Sequence, residues 1–262
     1  MSSVARIARY LARDGIHHGR LADEGLVRWS AAPWQGGREL ATVDPRDAVR
    51  LLAPVTPTKI VCVGLNYREH IAESQSVLPG AAAPAEPFLF LKPPSAVVGP
   101  GEPIRLPPGV TRMDPEGEMG VVIGRRARAV DESEALGHVA GLTCFNDVSA
   151  RNYQKTDGQW ARAKGFDSFA PIGPWVALGL DPSARGVECR VNGARRTFGN
   201  TRDLLFPVPV LIAHISRIMT LEPGDVIATG TPAGVAPIAI GDRVEVEVEG
   251  VGVLENPVAA WA

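Results

Sequence analysis

The sequence predicts a mixed α+β fold in which strands outnumber helices. Three observations carry that prediction. KIVCVGLNY (59–67) and the VVIG run at 121–124 are apolar stretches of strand length, too short for a helix of the usual size. GDRVEVEVEG (241–250) alternates apolar and charged residues with period two, a strand with one charged face. The helical patterns do not alternate regularly with these strands, which argues against a doubly wound parallel sheet.

In chain order, residues 1–56 read as a small N-terminal domain and 57–262 as the main domain. The first part has short strand-like stretches, GRLADEGLVRWS among them, and a helical patch DPRDAVRLLAP; Pro54 and Pro57 close it. The strand at 59–67 ends at Gly64 and Asn66, followed by REHIAESQS with a polar helical look and a small-residue, proline-rich loop, PGAAAPAEP. FLFLKPPSAVVGPG returns to strand and turn. Residues 118–130 read as strand, DESEALGHVA as a short capped helix, and GLTCFND as a strand with Asp147 at its exit. VLIAHISRIM carries apolar residues at 211, 212, 215, 218 and 219, which is helical spacing, with Pro207 and Pro209 at its first turns.

Composition narrows the function classes. At 262 residues, with 45% hydrophobic and 21% charged, the chain has the makeup of a globular protein. A net charge of -2 with interspersed signs offers no basic stripe for nucleic acid. Nothing approaches the ~20 apolar residues that span a bilayer, and MSSVARIARYLARDG lacks the apolar core of a secretory signal. Cys62, Cys144 and Cys189 form no CxxC pair and fit buried, reduced thiols, so a cytoplasmic location is expected.

DPEGEMG (114–120) places Glu116 and Glu118 two apart at the mouth of an apolar strand, so both carboxylates leave the same face. Like charges that close resist burial unless a cation lies between them or one is protonated. With Asp147 they make either a solvated strand edge or a hard-cation site, suited to Mg²⁺, Mn²⁺ or Ca²⁺ rather than zinc. No GxSxG elbow, phosphate loop or GxGxxG turn is present, and Ser74 breaks a zinc motif that His70 and Glu73 would begin.

VGLNYREHIAES, FLFLKPPSA, DPEGEMGVVIG, FNDVSARNYQ, AKGFDSFAPIGPW and GDVIATGTPAGV, in this order and spacing, resemble the fumarylacetoacetate hydrolase family. The resemblance spans most of residues 59–237, and GDRVEVEVEGVGVLENPV is similar to the family's closing strands. It implies a catalytic β-sandwich or β-roll domain, a homodimer, and one divalent cation (Mg²⁺ or Mn²⁺, with Ca²⁺ also admissible) held by Glu116, Glu118 and Asp147. It further implies substrate contacts from Arg151, Gln154 and Thr231, an oxyanion-holding Lys164, and a base dyad of His70 and Glu73 on a lid. The expected substrate is a small 2-oxo acid. The expected reaction is hydrolysis of a C–C bond in a 2,4-dioxo acid. The alternative is isomerisation or decarboxylation of an unsaturated 2-oxo dioate, or decarboxylation of oxaloacetate.

Glu69 and Asn152 depart from the family's commoner aspartates, and Asn152, beside Arg151, is placed to alter local charge. Lys92 either approaches the site or snorkels from the surface. His17 and His18 read as exposed tail residues, and His138 and His214 as structural ones.

Overall fold

The computed structural model describes residues 4–69 and 84–261. Among them, strands dominate, as expected. A 12-stranded sheet runs in the order Glu39–Asp44, Gly25–Trp29, Gly15–Ala22, Arg6–Ala12, Ala170–Leu178, Val139–Asn146, Gly117–Ile123, Val226–Ala228, Ile60–Gly64, Phe88–Lys92. Two short strands, Arg50–Leu52 and Val97–Val98, pair beside that path. A second, five-stranded sheet is built from Ala194–Asn200, Gly186–Val191, Arg243–Val248, Gly252–Ala260 and Ile104–Leu106.

The two sheets pack face to face. Met119, Val121, Leu142 and Cys144 of the large sheet share a core with Val187, Cys189, Val246 and Leu254 of the smaller one. The alternate residues Ile60, Cys62, Val122, Phe145 and Ala228 fill a second core on the opposite face. Both faces of the central strands are therefore buried, which is why KIVCVG and VVIG read as unbroken apolar runs rather than alternating ones. The smaller sheet keeps one face outward, and there the alternation predicted for 241–250 appears. Arg190 reaches Glu245 at 2.9 Å and Glu247 at 2.8 Å across neighbouring strands.

The helix Val208–Ile218 follows the predicted spacing: Leu211, Ile212 and Ile215 are fully buried, and Pro207 caps its start. Ile218, expected on that face, points outward at the helix end. The strand expected over 118–130 is shorter and stops at Ile123. Gly124 lies so close to Ala140 that a Cβ there would sit 2.9–3.0 Å from its backbone, and the chain turns away.

The first residues extend the large sheet rather than form one of their own. Arg6 and Ile7 pair antiparallel with Ala177 and Val176. The helical patch expected at DPRDAVRLLAP is instead a short 3-10 turn, Arg46–Ala48, followed by strand Arg50–Leu52. Arg50–Leu52 takes ladder hydrogen bonds from Arg9–Leu11, and that tertiary pairing overrides local helix propensity.

His17 and His18 are likewise not in a tail; both lie on the strand Gly15–Ala22. The His18 ring meets Trp34 edge-on, and burial, with Arg9 nearby, pushes its pKa down from 6.5 to about 4. A histidine kept neutral by the fold takes up protons more readily when unfolded, so its contribution is present above pH ~6.5 and lost toward pH 4. His18→Asn is expected to remove about 1–2 kcal/mol of the stability that wild type loses between pH 7 and pH 4.5, discounting for the ring's partial exposure. Urea unfolding of both proteins at the two pH values checks this.

Candidate active site

The register of two strands assembles the carboxylates. Gly117 pairs with Asn146 and Glu118 with Phe145, so Glu118 and the exit of Val139–Asn146 meet at one end of the sheet. Two backbone ties lock the corner: the Asp147 amide donates to the Glu116 carbonyl (2.9 Å), and the Glu116 amide donates to Asn146 Oδ1 (3.0 Å). Glu116, Glu118 and Asp147 are all buried, each offering a carboxylate oxygen within 4.8 Å of the others. Of the two readings the sequence left open, the solvated edge is the one excluded.

Such a cluster is costly, and its surroundings are built to offset it. Lys164 Nζ bridges Glu116 Oε2 (2.6 Å) and Asp147 Oδ2 (2.5 Å). It also faces the rings of Phe90 at 4.8 Å and Trp160 at 5.7 Å. Lys92 Nζ donates to Asp147 Oδ1 (2.5 Å) and to the Val148 carbonyl (3.0 Å). Arg151 spreads three donors, Nε to Asp114 (2.9 Å), Nη1 to Gln154 (2.8 Å) and Nη2 to Glu116 (2.7 Å). Ser149 donates to Glu116 Oε2 (3.1 Å), and the Gly230 amide to Glu118 Oε2 (2.8 Å).

Electrostatics single out Glu118. Burial first, then the charges of Asp147 and Glu116, push its carboxyl well above the usual range. Burial alone would depress the Lys164 ammonium, but Asp147 and Glu116 outweigh it and hold the pKa above its ordinary value. Lys92, equally enclosed, is pulled down by burial and only partly restored by Asp147. Around the corner, Asp114, Glu116, Glu118 and Asp147 face Lys92, Arg112, Arg151 and Lys164, and the formal charges balance. A dication would bring the corner to a net positive charge. All-oxygen donors, close and buried, fit Mg²⁺ or Mn²⁺.

Of the residues singled out in the sequence, Glu116, Glu118, Asp147, Arg151, Gln154 and Lys164 are joined in this contact network. Thr231 is buried next to Gly230, the residue whose amide binds Glu118. His70 and Glu73 lie outside the described residues. Asn152 turns away from the carboxylates and clamps the 109–111 loop, donating to the Gly109 carbonyl (3.0 Å) and accepting from the Thr111 amide (3.3 Å). Lys92, left open between site and surface, belongs to the site. Asp114 was missed as a partner of Arg151, although it heads the DPEGEMG motif.

Comparison with known proteins places this geometry in context. Residues 59–259 match the family model described as fumarylacetoacetate (FAA) hydrolase, C-terminal, and residues 5–54 match an N-terminal model described as Rv2993c-like. A mitochondrial oxaloacetate tautomerase, FAHD2B of Bos taurus, is 43% identical over 84% of this chain and 74% of its own length. The crystal structure of 2-hydroxyhepta-2,4-diene-1,7-dioate isomerase from Mycobacterium marinum is 40% identical with a TM-score of 0.89, covering 98% of both chains. Maleylpyruvate hydrolase from Sphingobium sp. SYK-6, in complex with manganese (II) ion and pyruvate, is 29% identical with a TM-score of 0.79, over 98% of this chain and 100% of that one.

A cation site and a merely structural acid cluster respond oppositely to one substitution. In chelator, Glu118→Gln is expected to be at least as stable as wild type, because it removes a charge the fold resists. It should also flatten the loss of stability that wild type shows as pH rises above the ordinary glutamate range, where the unfolded chain has released a proton that the folded Glu118 still holds. Mn²⁺ at about 100 times its Kd should raise the wild-type Tm by roughly 5–10 °C, corresponding to about 2.7 kcal/mol. Most of that rise should be missing in Glu118→Gln. Thermal unfolding with and without Mn²⁺ checks both.

Proposed function

Because the chain belongs to the fumarylacetoacetate hydrolase family, we propose that it hydrolyses a C–C bond in a 2,4-dioxo acid of the acylpyruvate type, using Mg²⁺ or Mn²⁺ held by Glu116, Glu118 and Asp147. The observation that carries this reading is the convergence of those three buried carboxylates within 4.8 Å, backed by Lys164. A dication there would act as a Lewis acid toward the carboxylate and 2-oxo oxygens of the substrate and stabilise the charge of a departing enolate.

The chain's own residues supply the remainder. The net positive charge of the loaded site draws in an anion. Lys164, kept protonated by its acidic neighbours, places a positive charge where the enolate oxygen develops. Three N–H groups of Arg151 hold Asp114, Glu116 and Gln154. A guanidinium has five, so two are uncommitted among the described residues and serve the substrate. Thr231 binds the substrate carboxylate. His70, with Glu73 as its partner in the dyad, takes a proton from water. The water oxygen bonds to C4, the C3–C4 bond breaks with its electron pair passing to the pyruvate enolate, and C3 is then protonated. Pyruvate and a carboxylic acid leave.

A second reading uses the same enolate without water: isomerisation or tautomerisation of a 2-oxo acid, or its decarboxylation. The similarity to an isomerase at 40% identity and to an oxaloacetate tautomerase at 43% supports it. Purified protein with Mn²⁺ should release pyruvate and acetate from acetylpyruvate. Enol–keto conversion of oxaloacetate or double-bond migration in an unsaturated dioate, with acetylpyruvate untouched, would establish the second reading instead. His70→Ala should cost hydrolysis ~10²- to 10⁴-fold, the usual worth of a positioned base; an unchanged rate would remove the dyad from the mechanism.

A further inference from the structure

Lys92 differs from the other cations of the corner in where it is anchored. It ends the strand Phe88–Lys92, pairs there with Ile60, and is followed by Pro93 and Pro94. A proline restricts the backbone of the residue before it, so ladder and ring together fix the Lys92 main chain. The side chain is enclosed, only 1% exposed, with Nζ 6.0 Å from the centroid of the Phe169 ring. From there it donates to Asp147 Oδ1 (2.5 Å) and to the Val148 carbonyl (3.0 Å). The second bond ties the ammonium to the backbone just beyond Asp147, so the pair is held as a unit.

The other oxygen of Asp147 faces Glu116. Lys164 Nζ lies 2.5 Å from Asp147 Oδ2 and 2.6 Å from Glu116 Oε2, so those two oxygens share one neighbour. The Asp147 carboxylate therefore has two distinct ends, Oδ2 toward the triad and Oδ1 toward buried Lys92. A dication gripped by both oxygens would lie within coordination distance of Oδ1, which already carries an ammonium 2.5 Å away. Two positive charges would then crowd one atom in a place shielded from water, where their repulsion is strong.

We propose that Lys92 is a positioning residue that restricts Asp147 to one ligand oxygen, Oδ2, and thereby disfavours Ca²⁺ at this corner relative to Mg²⁺. Ca²⁺ takes about six to eight oxygens and often both oxygens of a carboxylate, whereas Mg²⁺ binds few carboxylates and keeps several waters. Withdrawing Oδ1 deprives the larger ion of a ligand and leaves the smaller one unaffected. This goes beyond charge. A buried cation placed anywhere near the triad would weaken both ions alike, and one seated on a particular oxygen separates them. The inference rests on the cation reading of the site and not on which reaction follows.

Lys92→Met fills a similar volume without the donor, and Asp147 keeps Lys164 on Oδ2. Calorimetric titration of the metal-free proteins with Mg²⁺ and with Ca²⁺ gives both affinities without turnover. The Ca²⁺-to-Mg²⁺ affinity ratio should rise about 10-fold in the variant, the lower end of what an outer hydrogen-bond partner of a metal ligand contributes. An equal change in both affinities, whatever its size, would reduce Lys92 to a counter-charge and overturn the proposal. Wild-type crystals soaked in Ca²⁺ give a check that does not depend on how the variant folds. Asp147 should be attached to the ion through Oδ2 alone, and attachment through both oxygens would overturn the proposal. Failure of wild type to bind either ion would refute the cation site itself and this proposal with it. No substrate enters these measurements, so the absence of hydrolysis would not alter their outcome.

Discussion

Mutual repulsion among Glu116, Glu118 and Asp147 is the constraint around which this protein is organised. Three carboxylates in one buried corner would drive the chain apart or take up protons unless positive charge stood beside them. Lys92, Arg151 and Lys164 occupy the other side of that balance, and each reaches the corner from a different element. Their bonds to the triad go to Glu116 and Asp147, and burial leaves Glu118 as the group whose carboxyl is pushed up. A dication beside Glu118 would offset that remaining charge and turn the corner positive.

The scaffold explains how such a corner is held open. Both faces of the central strands are packed, one against the five-stranded sheet and one against the Ile60, Val122 and Phe145 core. A one-residue slip would send Glu118 to the other face of the sheet and Met119 into its place, so the register is strongly specified. Backbone bonds between the Asp147 amide and the Glu116 carbonyl then carry that register to the ligands. Stability and site geometry share a single cause here.

Much of this was legible in the sequence, for identifiable reasons. VVIG, GLTCFND and the Leu211–Ile212–Ile215 spacing report burial locally, and each formed the expected element. DPRDAVRLLAP misled because its strand Arg50–Leu52 is dictated by pairing with Arg9–Leu11, forty residues away in sequence and invisible in a local pattern. His18 misled because a histidine near a chain start looks exposed until a neighbouring Trp34 is known. The paired glutamates raised the question of a cation on their own, the family resemblance supplied the expectation of one, and the structure adds that all three carboxylates are buried and close. Lys92 and Asp114 escaped assignment because nothing near them in sequence shows that Lys92 reaches Asp147 or that Arg151 reaches back to Asp114.

Anomalous diffraction from a crystal soaked in Mn²⁺ addresses the central claim most directly. The account predicts one strong peak within coordination distance of Glu116, Glu118 and Asp147 together, with Lys92 still bonded to Asp147 Oδ1. Absence of a peak at that corner, or manganese held elsewhere by other groups, would contradict it.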